Sequence, residues 1–270
     1  MHPTLIHLGR FILPTFGVLA AAGLVAALSL SLRTAALVRL SPEAVWDAGL
    51  FSILSALVSS RLLLVLANFQ SFLHYPLIIL ALPTLNASGI LLTLLVTLLY
   101  LRIKRLALLA TLDAWAPCAT LTWAFIALGH LAEGSDPGLP TRLPWKILSP
   151  TGGAYLHPVA LYVALSAALL TLVLLRYLQH YSQPGHPQPG RPVALALATS
   201  GIAQFLITFL RHPSLDADGL PLATILDPIQ WVSLLMVVAA CIIYIQTVPI
   251  DIESAARPAA PSENQEHHAL

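Results

Sequence analysis

The residues best suited to acid–base chemistry in this chain are His130 and Glu133, three positions apart. They share one face if the helix that contains them continues. An imidazole titrates near pH 7, so it can take a proton from a thiol, and a neighbouring carboxylate can hold it in one orientation. The pair therefore predicts a general base. A hydrogen-bonded pair that caps a helix end is the alternative, and a metal site is not expected because no second histidine cluster accompanies it.

Two arginines next to long apolar runs are candidates for binding an anion. Arg61 lies late in one such run and Arg211 ends another. A charge near the bilayer centre costs about 2.5–3.5 kcal/mol on insertion scales, so its presence needs a reason. A guanidinium matches the oxygens of a phosphate group, which favours a lipid headgroup as the ligand. The alternatives are that Arg61 snorkels to the headgroups and that Arg211 is an interfacial anchor.

Two further polar residues lie in or beside the long loop after His130. Asp136 follows Glu133 by three positions and is expected either to anchor the same turn or, like Glu133, to orient the imidazole of His130. His157 precedes a proline at the start of an apolar run, where it is either a second candidate base or an ordinary residue at a helix start. The predicted topology places these candidates toward the same membrane face, and that convergence is stronger than any single residue.

The elements that must position these side chains are long apolar stretches. Only 9% of the 270 residues are charged, 57% are hydrophobic and the mean hydropathy is +0.82, which excludes an ordinary soluble domain. A bilayer core is about 30 Å thick and needs roughly 20 apolar residues per helix. The pattern predicts an all-α polytopic membrane protein with seven transmembrane helices and an outer-face loop region. The predicted spans are Phe11–Ser31, Val45–Ala67, Leu77–Leu101, Thr111–Leu131, Tyr155–Tyr177, Val193–Leu210 and Leu226–Gln246.

The distribution of Lys and Arg predicts the orientation of the chain. Eight of these residues flank the spans on one side and four on the other, so the N-terminus is expected outside and the C-terminus in the cytoplasm. We expect one seven-helix membrane domain over residues 1–250. Residues 251–270 are polar and rich in Pro and Ala, which predicts a disordered cytoplasmic tail. No Lys/Arg cluster suggests nucleic acid as a partner.

The longest outward loop is the most informative segment between spans. Gly129–Pro158 carries Gly, Pro, His, Glu, Asp, Arg and Trp between two hydrophobic helices. Loops of this length in a compact protein are commonly functional or disordered. We expect a partly structured loop at the outer membrane surface.

Several motifs, in order from about Phe11 to Ile245, resemble the bacterial prolipoprotein diacylglyceryl transferases, which are seven-helix inner-membrane enzymes. The signature loop of that family is similar to Gly134–Trp145, with Gly138 inside it. The other matching pieces are Asn68-Phe69 after Arg61, Asp113-Ala114-Trp115-Ala116-Pro117, His157-Pro158 with Leu161-Tyr162, and Phe209-Leu210-Arg211 followed by Pro213.

The resemblance implies an activity, its partners and a location. The enzyme would move diacylglyceryl from phosphatidylglycerol to the lipobox cysteine thiol of a prolipoprotein. It would contact phosphatidylglycerol and the prolipoprotein signal peptide in the bacterial cytoplasmic (inner) membrane, without a metal or organic cofactor. The expected catalytic residues are His130, Glu133 and His157. The expected substrate-binding residues are Arg61, Asp136, Gly138, Tyr162 and Arg211.

Some positions depart from the family pattern and keep an alternative open. Thr84–Gly89 carries no histidine where the family has His-Gly-Gly, and Ala127 and Gln204 stand where it has arginines. Phe16 replaces a tyrosine. The alternative is a non-catalytic phospholipid-binding paralogue. A small transporter is a further alternative, although no broken-helix pair or inverted repeat is evident.

Overall fold

The computed structural model describes residues 4–8, 11–74, 87–149, 152–181, 189–212 and 226–247. Eight α-helices and four short strands lie in these ranges. The helices are α1 (Thr15–Leu37), α2 (Pro42–Ala67), α3 (Phe69–His74), α4 (Ala87–Ile103), α5 (Leu108–Glu133), α6 (Val159–Tyr181), α7 (Arg191–Thr208) and α8 (Pro228–Thr247). The strands are β1 (Thr4–Leu8), β2 (Phe11–Pro14), β3 (Ile147–Leu148) and β4 (Tyr155–Leu156).

The predicted all-α membrane architecture is confirmed. Within the described ranges six helices are long and apolar enough to cross a membrane: α1, α2, α5, α6, α7 and α8. The third predicted span coincides with α4 only in its second half, because residues 75–86 lie outside the described ranges. The predicted tail, residues 251–270, also lies outside them.

Two predicted helix starts are displaced by short strands. α1 begins at Thr15 rather than Phe11, because β2 pairs antiparallel with β1 before the helix starts. α6 begins at Val159 rather than Tyr155, because β4 pairs antiparallel with β3. In contrast, α5 runs two residues beyond its predicted end at Leu131 and keeps both His130 and Glu133 helical.

Close helix packing depends on small side chains. α1 packs on α5, α5 on α6, and α7 on α8. A Cβ added to Gly23 of α1 would lie 2.6 Å from Cβ of Phe125 on α5, and one added to Gly201 of α7 would lie 2.7 Å from the carbonyl oxygen of Ser233 on α8. Small residues allow this approach in membranes, where helices gain little from hydrophobic burial against one another.

Large apolar side chains cover the outside of the bundle. Val25, Leu95, Leu235 and Ile245 are each more than half exposed. Water would penalise so extensive an apolar surface, whereas lipid tails do not. The exposed surface therefore fits a helical bundle surrounded by a bilayer.

A buried carboxylate fixes the start of α7. Asp113 on α5 is only 1% exposed. Its Oδ2 accepts the backbone N–H of Gly190 over 2.6 Å, and its Oδ1 accepts the N–H of Val193 over 2.9 Å. The first N–H groups of a helix have no acceptor inside that helix, so Asp113 satisfies two donors from a neighbouring helix. This contact positions α7, whose far end leads to Arg211.

Candidate functional site

His130 lies on the last turn of α5 with its ring held from two sides. Gly134 ends the helix in a left-handed conformation at φ 71°, and its N–H donates to the carbonyl oxygen of His130. The chain then turns back, so that Oγ of Ser135 lies 2.8 Å from Nδ1 of His130. On the other side the ring of Phe16 lies 4.9 Å from the imidazole, centroid to centroid. These contacts restrain the imidazole, and within the described residues its Nε2 makes no hydrogen bond.

The structure pairs Asp136 with Arg211 rather than with His130. Oδ2 of Asp136 accepts a hydrogen bond from Nη2 of Arg211 over 2.8 Å, with side chains 15% and 18% exposed. Nε of Arg211 is buried and makes no hydrogen bond within the described residues. At Nδ1 of His130 the structure places the Ser135 hydroxyl, where Glu133 or Asp136 was expected. Glu133 is the last residue of α5, one turn beyond His130.

A set of backbone hydrogen bonds, here called the loop clasp, ties the α5–α6 loop to the end of α7. It consists of residues 137–141, 147–148, 155–157 and 210–212. Leu139 donates to Leu210 over 2.8 Å, His212 donates to Pro137 over 3.2 Å, and His157 donates to Leu139 over 3.0 Å. Segment 137–141 thus lies between the end of α7 and the segment that leads into α6. The clasp holds the backbones of Asp136, His157 and Arg211 in a fixed relation.

Gly138 is the tightest point of the loop clasp. It forms an antiparallel bridge with Arg211. A Cβ added at Gly138 would overlap the carbonyl oxygen of His157 and would lie 2.8 Å from its Cβ and 2.9 Å from Cγ2 of Val159. Only glycine fits between these two segments. Gly138 was predicted to bind substrate, and the structure shows a steric role for it in the loop clasp.

Three other polar side chains form a second cluster beside the clasp. Nε1 of Trp145 donates to Oη of Tyr162 over 2.7 Å, and Nδ1 of His157 lies 3.3 Å from the same oxygen. Nearby, Nζ of Lys146 lies 4.0 Å from the centre of the Tyr155 ring, which is a cation–π contact. This cluster mixes aromatic and basic side chains, as is typical of a membrane–water interface.

Arg61 lies at the same end of the bundle as His130. It is about 28 Å along α2 from the start of that helix, by the 1.5 Å rise per residue. Only residues 38–41 join α1 to α2 and the two helices pack together, so α2 returns toward the first turn of α1, which carries the Phe16 that contacts His130. α2 packs on α1 and α4. Arg61 is half-buried there.

Two of the predicted site residues line the same narrow cleft. His130 and Asp136 both line it, together with Gly134 and apolar residues of the loop and of α6. Through Asp136 the cleft is connected to Arg211. Among the described residues no group of three His, Cys, Asp or Glu side chains is arranged to hold a metal ion.

Ser135 was not predicted from the sequence, and Gln204 shows a structural feature that its sequence position did not indicate. Ser135 follows the helix-ending Gly134, and a glycine at this position turns the chain back over the last helical turn, so this was a usable signal. Gln204 of α7 was noted only as a departure from the family pattern, yet its Oε1 is buried without a partner in the described part of the chain. It lies two helical turns before Arg211.

Comparison with known proteins gives consistent matches. The family model described as prolipoprotein diacylglyceryl transferase matches residues 3–246. Relatives named phosphatidylglycerol–prolipoprotein diacylglyceryl transferase include one from Synechococcus elongatus, 25% identical and covering 97% of this chain and 94% of the relative. One from Gloeobacter violaceus is 28% identical, covering 83% and 87%. One from Bordetella parapertussis is 34% identical, covering 59% and 60%.

Proposed function

This chain belongs to the prolipoprotein diacylglyceryl transferase family, and we propose that it transfers diacylglyceryl from phosphatidylglycerol to the lipobox cysteine of prolipoproteins. The relatives are named for phosphatidylglycerol and prolipoprotein, which supports this substrate pair. The alternative of a non-catalytic phospholipid-binding relative gains no support from these names. The prolipoprotein signal peptide is the part of the acceptor that would enter the membrane beside the bundle.

At the reacting carbon of the diacylglyceryl group, the transfer makes one bond and breaks one, and a proton passes from the thiol to a base. The cysteine S–H loses its proton, the sulfur attacks the glyceryl carbon that bears the phosphate, and a C–S bond forms. The C–O bond to phosphate breaks, and glycerol phosphate leaves with the electron pair. The site must therefore accept a proton and stabilise negative charge on a phosphate group.

His130 is the residue we assign as the base. A free thiol has a pKa near 8.5, and a neutral imidazole is a suitable acceptor for its proton. If Nδ1–H of His130 donates to Oγ of Ser135, Nε2 carries the lone pair that takes the proton. The observation that carries the proposal is this fixed imidazole in the same cleft as Asp136.

Arg211 is the residue we assign to the phosphate. Its guanidinium is held by Asp136 through one nitrogen, and its Nε–H is buried without a protein acceptor in the described residues. A buried donor left without an acceptor costs about 1–3 kcal/mol, so a phosphate oxygen there would recover that energy. Asp136 aims the guanidinium and Gly138 holds its backbone.

Arg61 and Glu133 complete the proposed site at the same end of the bundle. Arg61 supplies a second guanidinium for the lipid phosphate. Glu133, one turn beyond His130, stabilises the imidazolium that forms when the proton arrives. We place the protein in the bacterial inner membrane with this end of the bundle outside and the C-terminus in the cytoplasm, because the Lys and Arg residues are biased toward the other end.

A reconstituted assay tests the proposal. The full-length protein is inserted into vesicles that contain phosphatidylglycerol and is given a lipobox peptide. We expect the peptide to gain one diacylglyceryl group by mass and glycerol phosphate to be released in equal amount. A Cys→Ser peptide and vesicles of phosphatidylethanolamine alone are the controls. A correctly folded protein that leaves the peptide unmodified under these conditions would contradict the proposal.

A further inference from the structure

The phenol oxygen of Tyr162 contacts two other side chains, those of Trp145 and His157. Oη of Tyr162 accepts the Nε1–H of Trp145 over 2.7 Å and lies 3.3 Å from Nδ1 of His157. The imidazole and phenol rings meet edge-on, with their centroids 6.1 Å apart. Trp145 precedes β3, His157 belongs to the loop clasp and Tyr162 lies in the first turns of α6, so the contact joins the loop to that helix.

The direction of the first hydrogen bond follows from what each group can donate, and the tautomer of His157 sets the direction of the second. An indole nitrogen only donates, so Oη of Tyr162 must be the acceptor for Trp145. The phenol has one proton of its own, and Nδ1 of His157 is an acceptor within its reach. We propose that Trp145 and Tyr162 are positioning residues that hold neutral His157 with its proton on Nε2.

The consequence, which rests on the proposed transfer function, is that the two histidines have different roles: one donates a hydrogen bond and the other accepts a proton. A ring with its proton on Nε2 and its Nδ1 occupied presents a hydrogen-bond donor, not a base. Such a donor stabilises negative charge on a phosphate oxygen. At His130 the partner of Nδ1 is a serine hydroxyl that can accept Nδ1–H, and in that tautomer Nε2 carries the lone pair that takes a proton. His157 then binds the anion and His130 takes the thiol proton.

The position of the proton is read directly by nitrogen NMR. Full-length protein labelled with ¹⁵N-histidine is studied in phosphatidylglycerol nanodiscs, and the His157 resonances are identified by their loss in His157→Gln. We expect a protonated Nε2 and an unprotonated Nδ1. Tyr162→Phe keeps the ring but removes the donor, so it should produce a mixture of the two tautomers, and Trp145→Phe a smaller shift in the same direction. A proton on Nδ1 in the wild-type protein, or ring signals unchanged in both variants, would overturn the proposal.

The transfer rates of two His157 variants show whether this residue acts as a hydrogen-bond donor or as a base. The amide of His157→Gln offers an N–H but cannot take up a proton, whereas His157→Ala offers neither. We expect the alanine variant to lose about a hundredfold in rate, as for a lost donor to a developing anion, and the glutamine variant to be at least tenfold faster. Equal loss in both variants would mean that His157 is not a donor. If the wild-type protein itself transfers nothing, the proposed function fails, while the NMR result still decides the position of the proton.

Discussion

The carboxylate of Asp136 and the guanidinium of Arg211 form an ion pair at 2.8 Å, although 75 positions separate them in the chain. The backbone around this pair is fixed by the loop clasp, in which Gly138 bridges to Arg211. The ion pair therefore holds the guanidinium of Arg211 in one position, whereas a snorkelling arginine would extend toward the lipid headgroups. This contact supports the phosphate-binding role that we propose for Arg211 over the interfacial anchor that the sequence left open.

Replacement of Arg211 and Asp136 should show that they act together. We expect Arg211→Ala to lower the transfer rate about a hundredfold, the size of effect seen when one donor to a developing anion is removed. Asp136→Asn keeps an acceptor and should cost less. If Asp136 acts through Arg211, the double variant is no worse than Arg211→Ala alone. Strictly additive losses, measured as kcat/KM in vesicles, would show that the two residues work independently.

His130 and Ser135 should differ in degree but affect the same step. We expect His130→Ala to lose about 10²–10⁴-fold in kcat, the usual contribution of a general base. Ser135→Ala should lose less, since the imidazole remains but its orientation is no longer fixed, and KM for phosphatidylglycerol should not change. Ser29→Ala, which removes an exposed hydroxyl from α1, is the matched control. Full activity in His130→Ala would remove this residue from the mechanism.

Arg61 offers a test between snorkelling and phosphate binding. Lysine also snorkels, but it lacks the forked geometry of a guanidinium. We expect Arg61→Lys to raise KM for phosphatidylglycerol while the protein inserts normally. Arg33→Lys, an exposed position on α1, should be silent. Wild-type kinetics in Arg61→Lys would favour the anchoring role.

A methyl group at Gly138 should open the loop clasp. The added Cβ would overlap the backbone of His157, so Gly138→Ala must separate two segments that are hydrogen-bonded. Overpacking of this kind costs about 1–3 kcal/mol. We expect a lower melting temperature and loss of transfer together. Gly17→Ala is the control, because its Cβ would meet nothing closer than 3.4 Å. Equal melting temperatures for the two variants would show that the clasp tolerates a side chain.

Asp113 should prove important for stability. Asparagine retains only one oxygen, so Asp113→Asn loses one of the two bonds to the start of α7 and leaves a buried N–H without an acceptor. The expected loss is about 1–3 kcal/mol in the free energy of unfolding. Thermal unfolding in detergent measures it, with the exposed Asp47→Asn as control. Similar melting temperatures in both variants would exclude the capping role.

The membrane helices could be predicted because their signal is local. A run of apolar residues long enough to cross a bilayer is visible without knowledge of its neighbours, and α2, α5, α7 and α8 lie close to their predicted positions. The displaced starts at Phe11 and Tyr155 share one cause: each residue pairs with the strand that comes just before it in the chain. Hydropathy does not report such pairing.

The residues of the candidate site could be predicted from the sequence, but the partner that each side chain contacts could not. His130, Asp136 and Arg211 were identifiable as polar residues near apolar spans, yet the partner of each depends on how the loop folds back. Ser135 reaches His130 only because Gly134 turns the chain, and Asp136 reaches Arg211 only through the clasp. Charge alone favoured Glu133 or Asp136 beside the imidazole, whereas the geometry places a hydroxyl there.

The most direct test of the central claim is complementation. The chain is expressed in cells depleted of their own diacylglyceryl transferase, and the mass of a model lipoprotein is measured beside cells that express His130→Ala at the same level. The account predicts a gain of one diacylglyceryl group with the wild-type chain and modification at least a hundredfold slower with the variant. An unmodified precursor with the wild-type chain, present in the membrane and supplied with its own organism's prolipoprotein, would contradict it.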